Sequence, residues 1–290
     1  MSRKSHTGVL TACVAFFSWG VLPIFWKHLD FLPPVQIVAH RTLWSLLVLL
    51  PVIILLGEWR SWLSALRSPK SIGWLLLSGL LICGNWLLYI WATLNGHIIE
   101  GALGYYLNPF FNMLFGALWF GERHNRPQQI AIALALGGVA IQVIAVGHLP
   151  VIALALALTF SLYAVIRKFT PYPALAGLTA ETTLLAPFAL GWLLWTAPNV
   201  PTAFGNSLPN AWLIASTGLV TALPLFCFGY AAKTIRLTTL GILQFIGPTL
   251  QFLIGWQLYG EAMTPGRLAS FALIWLAIGL YATDALRKNS

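Results

Sequence analysis

The sequence predicts an all-α integral membrane protein with ten transmembrane helices in two inverted five-helix repeats. Three observations carry this: the composition, ten apolar runs separated by short basic loops, and a second half that overlays the first. Of the 290 residues, 59% are apolar and only 8% are charged. Mean hydropathy is +0.81. An ordinary soluble domain carries about 25% charged residues. So few charges cannot cover a soluble protein of this size, so a soluble enzyme is excluded. The abundance of Leu, Ile, Val and Phe excludes disorder. The 14 Trp and 17 Pro fit a bilayer, because Trp collects at membrane interfaces and Pro is tolerated in spanning helices.

A span needs about 20 apolar residues. Runs 8–26, 35–56, 72–94, 98–120, 128–146, 150–167, 174–196, 211–232, 238–259 and 267–284 qualify. The first follows Arg3 and Lys4 but is long, contains Trp19 and Pro23, and lacks a small-residue cleavage site. It reads as helix one rather than a signal peptide. Runs four and nine are interrupted by Asn108, Pro109 and Asn112, and by Gln244, Pro248 and Gln251. Such breaks suit helices that line a protein or water cavity. No run alternates in polarity as the strands of an outer-membrane barrel would. In segment 57–70, Trp59, Trp62, Leu63 and Leu66 share a helical face, which predicts a helix along the membrane surface.

The net charge of +9 reflects topology. With the N-terminus inside, the inner segments hold Arg3, Lys4, Arg60, Arg67, Lys70, Arg123, Arg126, Arg167, Lys168, Lys233, Arg236, Arg287 and Lys288. Only Lys27 and Arg267 fall outside, and Arg41 lies within a span. The positive-inside rule then makes both termini cytoplasmic. A nucleic-acid partner would need a basic patch on one folded surface, and none is legible. Cys13, Cys83 and Cys227 lie in apolar runs and read as small buried hydrophobes.

Shifted by 139 residues, span four overlays span nine: Pro109 on Pro248, Asn112 on Gln251, Gly116 on Gly255, Gly121-Glu122 on Gly260-Glu261. Gly79 and Ala92 likewise meet Gly218 and Ala231. At 141, Trp19 meets Phe160 and Lys27 meets Lys168. The unit contains five spans, so the second copy is upside down relative to the first. This divides the chain into 1–147 and 148–290. Inverted repeats recur in secondary transporters, with the substrate site near the midplane between the halves.

These residues also resemble a known family. Trp19-Gly20 with Lys27, the LNP at 107–109 and the Gly-Glu ending spans four and nine are similar to the drug/metabolite transporter superfamily with paired EamA domains. SHTGVL at 5–10, AHRTLWS at 39–45, GNWLLYIWA at 84–92, EGALGYYLNP at 100–109, FGER at 120–123 and QFIGPTLQFL at 244–253 resemble its RarD-type permeases. The resemblance covers nearly the whole chain. It implies ten helices, a bacterial-type inner-membrane location and transport of a small solute. The second half departs from the Trp-Gly pattern, with Phe160-Ser161 in its place.

Ionisable groups within spans cost about 2.5–3.5 kcal/mol on insertion scales, and this chain has few. His40 and Arg41 in span two and Glu181 in span seven each sit roughly 10 Å inside a membrane face. Arg41 is expected to bind an anionic substrate group through its planar fork. Glu181 is expected to bind a cationic group or carry a coupling proton; the alternative for both is a structural ion pair. A direct Arg41–Glu181 pair is disfavoured by their depths. Tyr105, Asn108 and Asn112 share one face, Gln244 and Gln251 hold matching positions in span nine, and Asn85 and Tyr89 lie four apart. All are expected to line the site or, alternatively, to glue helices together. Trp19, Trp44, Trp86 and Tyr163 are the expected aromatic walls. His97 and Glu100 are too few to hold a metal. Glu122 and Glu261 read as turn or gating anchors. No phosphate loop, nucleophile elbow or nucleotide-binding domain appears, so no cofactor is expected and the energy must come from an ion or solute gradient. The expected function is secondary transport of a small metabolite or amphipathic solute by alternating access. The alternatives are an intramembrane enzyme or a channel.

Overall fold

The computed structural model describes residues 3–197 and 207–287. Its elements are α1 (Arg3–Lys27), α2 (Pro34–Leu55), α3 (Trp59–Arg67), α4 (Pro69–Leu94), α5 (Ile98–Phe120), α6 (Arg126–Val146), α7 (Val151–Lys168), α8 (Ala174–Thr196), α9 (Leu208–Thr234), α10 (Leu237–Leu243), α11 (Ile246–Leu253), a π turn (Ile254–Leu258) and α12 (Pro265–Arg287). Among the described residues every element is helical, and nine segments are long and apolar enough to cross a membrane. The remaining long helix is α5, 23 residues. It carries Glu100, Asn108, Pro109 and Asn112, and most of its length is buried against α7, α11, α12 and α6. A helix shielded by neighbours need not be uniformly apolar.

Local sequence sets the helix ends. Proline, which has no N–H to lose, opens α2 and α12 at Pro34 and Pro265. Asn125 and Gln128 form a reciprocal capping box at the start of α6, with bonds of 3.0 and 3.1 Å. Gly121 and Gly260 both end their helices at φ +65°, a conformation that costs glycine nothing. Behind them, Glu122 N–H donates to Gly116 O at 3.1 Å and Glu261 N–H to Gly255 O at 2.9 Å.

The two polar-interrupted runs fold differently. Pro109 leaves α5 continuous. The run 238–259 breaks at Gln244–Phe245, where Pro248 cannot donate to the Gln244 carbonyl. Gly247 N–H takes that acceptor instead, at 3.3 Å. The π turn at Ile254–Leu258 closes the run with Tyr259 N–H donating to Ile254 O at 3.0 Å.

In lipid, apolar surface gains nothing by moving from acyl chains to another helix, so close packing must hold the bundle. Leu55, Ile144 and Trp195 are 83%, 82% and 71% exposed, suited to acyl chains. Between helices the contacts fall on small residues. A Cβ on Gly104 would meet Ala153 O at 2.8 Å, and one on Gly138 would meet Ser270 O at 3.0 Å. These glycines let α5 approach α7 and α6 approach α12. Gly218 rests on the Trp44 backbone in the same way. The short α3 does not lie wholly free on the bilayer: Trp62 and Leu66 pack with Ala65, Leu75 and Ala180. Trp62 Nε1 donates to Thr183 Oγ1 at 3.2 Å, while Trp59 remains exposed.

Candidate functional site

A narrow cleft opens between α2, α4, α8 and α9. Its walls include Thr42, Ser45, Ile82, Trp86, Glu181, Thr182, Leu185 and Thr221. A buried cation stands beside it, and a buried carboxylate forms part of its wall.

The cation is Arg41, 8% exposed. Its Nε donates to Thr221 Oγ1 at 2.8 Å, and that hydroxyl donates onward to Thr217 O at 2.8 Å. The guanidinium lies 3.7 Å from the centre of the Trp86 ring and 5.7 Å from that of Trp26. Tyr89, Tyr105 and Cys83 surround it. Among the described residues no carboxylate pairs with it. Glu181 is held by Arg167 and Glu122 by Lys168. Glu100 accepts from Ile152 N–H, Glu261 from Ile98 and Ile99 N–H, and Asp284 from Asn125. Two further groups in this cluster, Trp26 Nε1 and Tyr89 OH, are buried without a hydrogen-bond partner among the described residues.

The carboxylate is Glu181, its side chain 1% exposed. Oε1 accepts from Ser78 Oγ at 2.6 Å and from Arg167 Nη1 at 3.4 Å; Oε2 accepts from Tyr163 OH at 3.4 Å. Arg167 reaches it from the end of α7 by crossing α8 at Gly177, where any Cβ would collide with the guanidinium. Arg41 and Glu181 do not pair with each other.

The other expected site residues divide. Tyr105 OH donates to Asn85 Oδ1 at 3.5 Å and its ring packs edge-on against Tyr89. Asn85 Nδ2 is committed to Leu156 O and Thr159 Oγ1, both at 2.9 Å, and so ties α4 to α7. Asn108 is buried with Oδ1 unpartnered, while Asn112, one turn on, is exposed. Gln251 Nε2 donates to Trp19 O at 3.1 Å and its Oε1 has no partner. Gln244 is half-buried at the break before α11, and His40 is half-buried on α2. Trp19 packs with Phe16 and Phe228 in a separate cluster. Trp44 packs against the cluster that contains Trp26, Ile37 and Tyr89. Of the expected residues, Trp86 and Glu181 line the cleft; Arg41 stands behind Trp86 and Thr221, and Tyr163 behind Glu181.

Sequence reasoning missed Arg167, Ser78, Thr221 and Trp26. Arg167 was absorbed into the charge bias of the inner loops. Its signal was the short 169–173 connection, which forces α7 and α8 to lie antiparallel and brings the end of one beside Glu181 on the other.

The comparisons agree with this architecture. An EamA-like transporter family model matches residues 6–144. The chain is 40% identical to Protein RarD of Salmonella typhi over 98% of its own length and 97% of that protein's. It is 44% identical to an uncharacterized transporter of Pseudomonas aeruginosa over 97% and 95%. It is 31% identical to the chloramphenicol-sensitive protein RarD of Pseudomonas aeruginosa over 98% and 96%. A solved crystal structure, 22% identical, superposes over 96% of this chain and 98% of its own with a TM-score of 0.61, which supports the fold alone. The protein is therefore a multi-pass membrane transporter for a small molecule, not an enzyme. It belongs to the RarD-type permeases of the drug/metabolite transporter superfamily.

Proposed function

We infer that this chain is a secondary active transporter of the inner membrane, and that it carries a small amphipathic solute with an anionic group by alternating access. The observation that carries this reading is Arg41: a buried guanidinium, stacked on Trp86, with no carboxylate partner among the described residues. An unpaired buried charge costs several kcal/mol. An anion entering beside the cleft would relieve that cost, with Trp86 as its aromatic wall and Trp26 Nε1 and Tyr89 OH as further donors. Glu181, already held by Arg167, is the group for a coupling proton rather than a second binding charge.

Alternating access rests on the inverted repeat, 1–147 against 148–290. Exchanging each helix for its counterpart converts α1 on α9 into α7 on α4, α1 on α11 into α7 on α5, and α2 on α9 into α8 on α4; all six pairs are in contact. The pairs α2–α8, α5–α11 and α6–α12 convert into themselves. The matching φ of Gly121 and Gly260 supports the same correspondence, with α5 as the tenth span. The charge bias supports cytoplasmic termini, and a C-terminal reporter active only in the periplasm would refute that orientation.

A panel of small amphipathic carboxylates and their matched amides tests the function. Carboxylates that bind should raise the melting temperature of the purified protein, by about 2.7 kcal/mol of stabilisation at a hundredfold excess over Kd. In proteoliposomes they should support saturable counterflow. Non-saturating flux would mean a channel, and chemical conversion an enzyme.

A further inference from the structure

The two Gly-Glu helix ends are matched in sequence and backbone, yet their side chains do opposite things. At the α4–α5 end, the Glu261 carboxylate accepts from the backbone N–H of Ile98 at 2.5 Å and of Ile99 at 2.9 Å. Gly255 packs directly on Ile99 and Ile98, at 2.9 and 3.2 Å from its Cβ position. Half-buried Lys27 donates to Leu94 O at 3.2 Å and lies 5.3 Å from the centre of the Tyr259 ring. Lys27, Tyr259 and Glu261 thus clamp the end of α1 and the π turn onto the α4–α5 turn.

The repeat carries these three residues to Lys168, Phe120 and Glu122. That trio is also intact: Lys168 lies 4.2 Å from the centre of the Phe120 ring and 3.4 Å from Glu122. Its clamp, however, is open. The Glu122 carboxylate folds back over its own Gly116, at 2.5 Å from that residue's Cβ position. Lys168 and Glu122 are 58% and 51% exposed. At the counterpart of the α4–α5 turn, the end of α9 packs on α1 at Gly8, and α10 packs on α1 and α12.

We propose that Glu261 and Glu122 are the two gate residues of the transport cycle, each a carboxylate latch that closes its own face only while the other is released. In this structure Glu261 holds the α4–α5 turn, at the face the charge bias places outside, while Glu122 pairs with exposed Lys168 and, among the described residues, bonds no opposing turn. In the opposite state, Glu122 and Lys168 close on the backbone of the α9–α10 turn while Glu261 and Lys27 let go of the α4–α5 turn. The device needs charge, because an ionised acceptor on backbone N–H makes a strong bond that its amide analogue does not match. It also needs the glycine before each glutamate, whose positive φ ends the helix and lets the carboxylate swing between its own helix, as at Glu122, and the opposing turn, as at Glu261.

The test is distance measurement between spin labels in substrate-free protein lacking the three native cysteines. One pair, at Asn95 and Ala262, reports the outer face; another, at Arg123 and Arg236, reports the inner face. Glu261→Gln is expected to shift the ratio of outward-open to inward-open protein upward by about tenfold, with longer outer and shorter inner distances. Glu122→Gln is expected to leave the resting distances in place, lower kcat several-fold and spare the binding midpoint, because it weakens only the state not populated at rest. Combining both should return the distances toward the wild-type ratio. Two identical substitutions with opposite consequences are not what plain turn-formers would give. If Glu261→Gln does not move the outer distance, or if both variants move it the same way, the latch is refuted. Glu261→Asp, which keeps the charge on a shorter arm, should shift the ratio partway and serves if the amide variant fails to fold. The proposal rests on the transporter reading, but the distances are read without solute. Counterflow can therefore succeed while the latch fails.

Discussion

Arg41→Lys is expected to weaken binding of the anionic solute by about tenfold to a hundredfold, although the charge is kept. Lysine offers a point charge where arginine offers a planar fork, and it cannot lie flat on the Trp86 ring at 3.7 Å while also reaching Thr221 at 2.8 Å. Each tenfold corresponds to about 1.4 kcal/mol, the scale of one charge-assisted hydrogen bond. Arg41→Met should go further and abolish saturable binding. Its effect on folding should have the opposite sign. In the empty protein the guanidinium is buried without a counter-charge, and an apolar side chain of similar volume removes that cost. The melting temperature of Arg41→Met should therefore equal or exceed that of the wild type, while the solute-induced shift disappears. A function gained at the expense of stability has this signature. A destabilised Met variant, together with a Lys variant that binds normally, would mean that Arg41 serves packing.

Glu181→Gln is expected to lower stability by up to about 3 to 5 kcal/mol, as breaking a buried ion pair does. Arg167 would lose its counter-charge, though its side chain is 14% exposed and can partly turn to water. Ser78, 2.6 Å from Oε1, would retain an amide oxygen as acceptor. The double variant Glu181→Gln with Arg167→Gln should recover much of the loss, and that coupling is the measurement that isolates the pair. The same Glu181→Gln protein tests proton coupling. Uptake driven by a proton gradient should fall, while counterflow of solute already bound at Arg41 persists. Equal loss of both would assign Glu181 to solute binding. An unchanged affinity, rate and pH profile would leave it as a packing group.

Much of the fold was legible because lipid allows few solutions. A backbone with no water to bond must close its hydrogen bonds within each segment, so long apolar runs could only be helices. The observed α2, Pro34–Leu55, and α7, Val151–Lys168, follow runs 35–56 and 150–167 closely. Gly121 and Gly260 marked two helix ends because their positive φ is a local property of glycine. Arg41 and Glu181 stood out because an ionisable residue in an apolar run is costly wherever it packs.

What the sequence left open was decided by which helices touch. Arg41 and Glu181 look equivalent as isolated charges. Tertiary packing gave Glu181 a guanidinium carried in from α7 across Gly177, and gave Arg41 two indole faces, one hydroxyl and neutral neighbours. Asn85 and Asn108 carry the same side chain, yet Asn85 spends its donor on α7 and Asn108 keeps a buried oxygen unpartnered. Glu122 and Glu261 stand in matched positions, and only the assembled bundle placed one on a neighbouring turn and left the other exposed. Apolar pattern and local geometry act within a span or a turn and are written in order along the chain. Partners 14 residues apart for Arg167 and Glu181, or 163 for Ile98 and Glu261, are set by helix-to-helix approach, which depends on every close contact in the bundle at once.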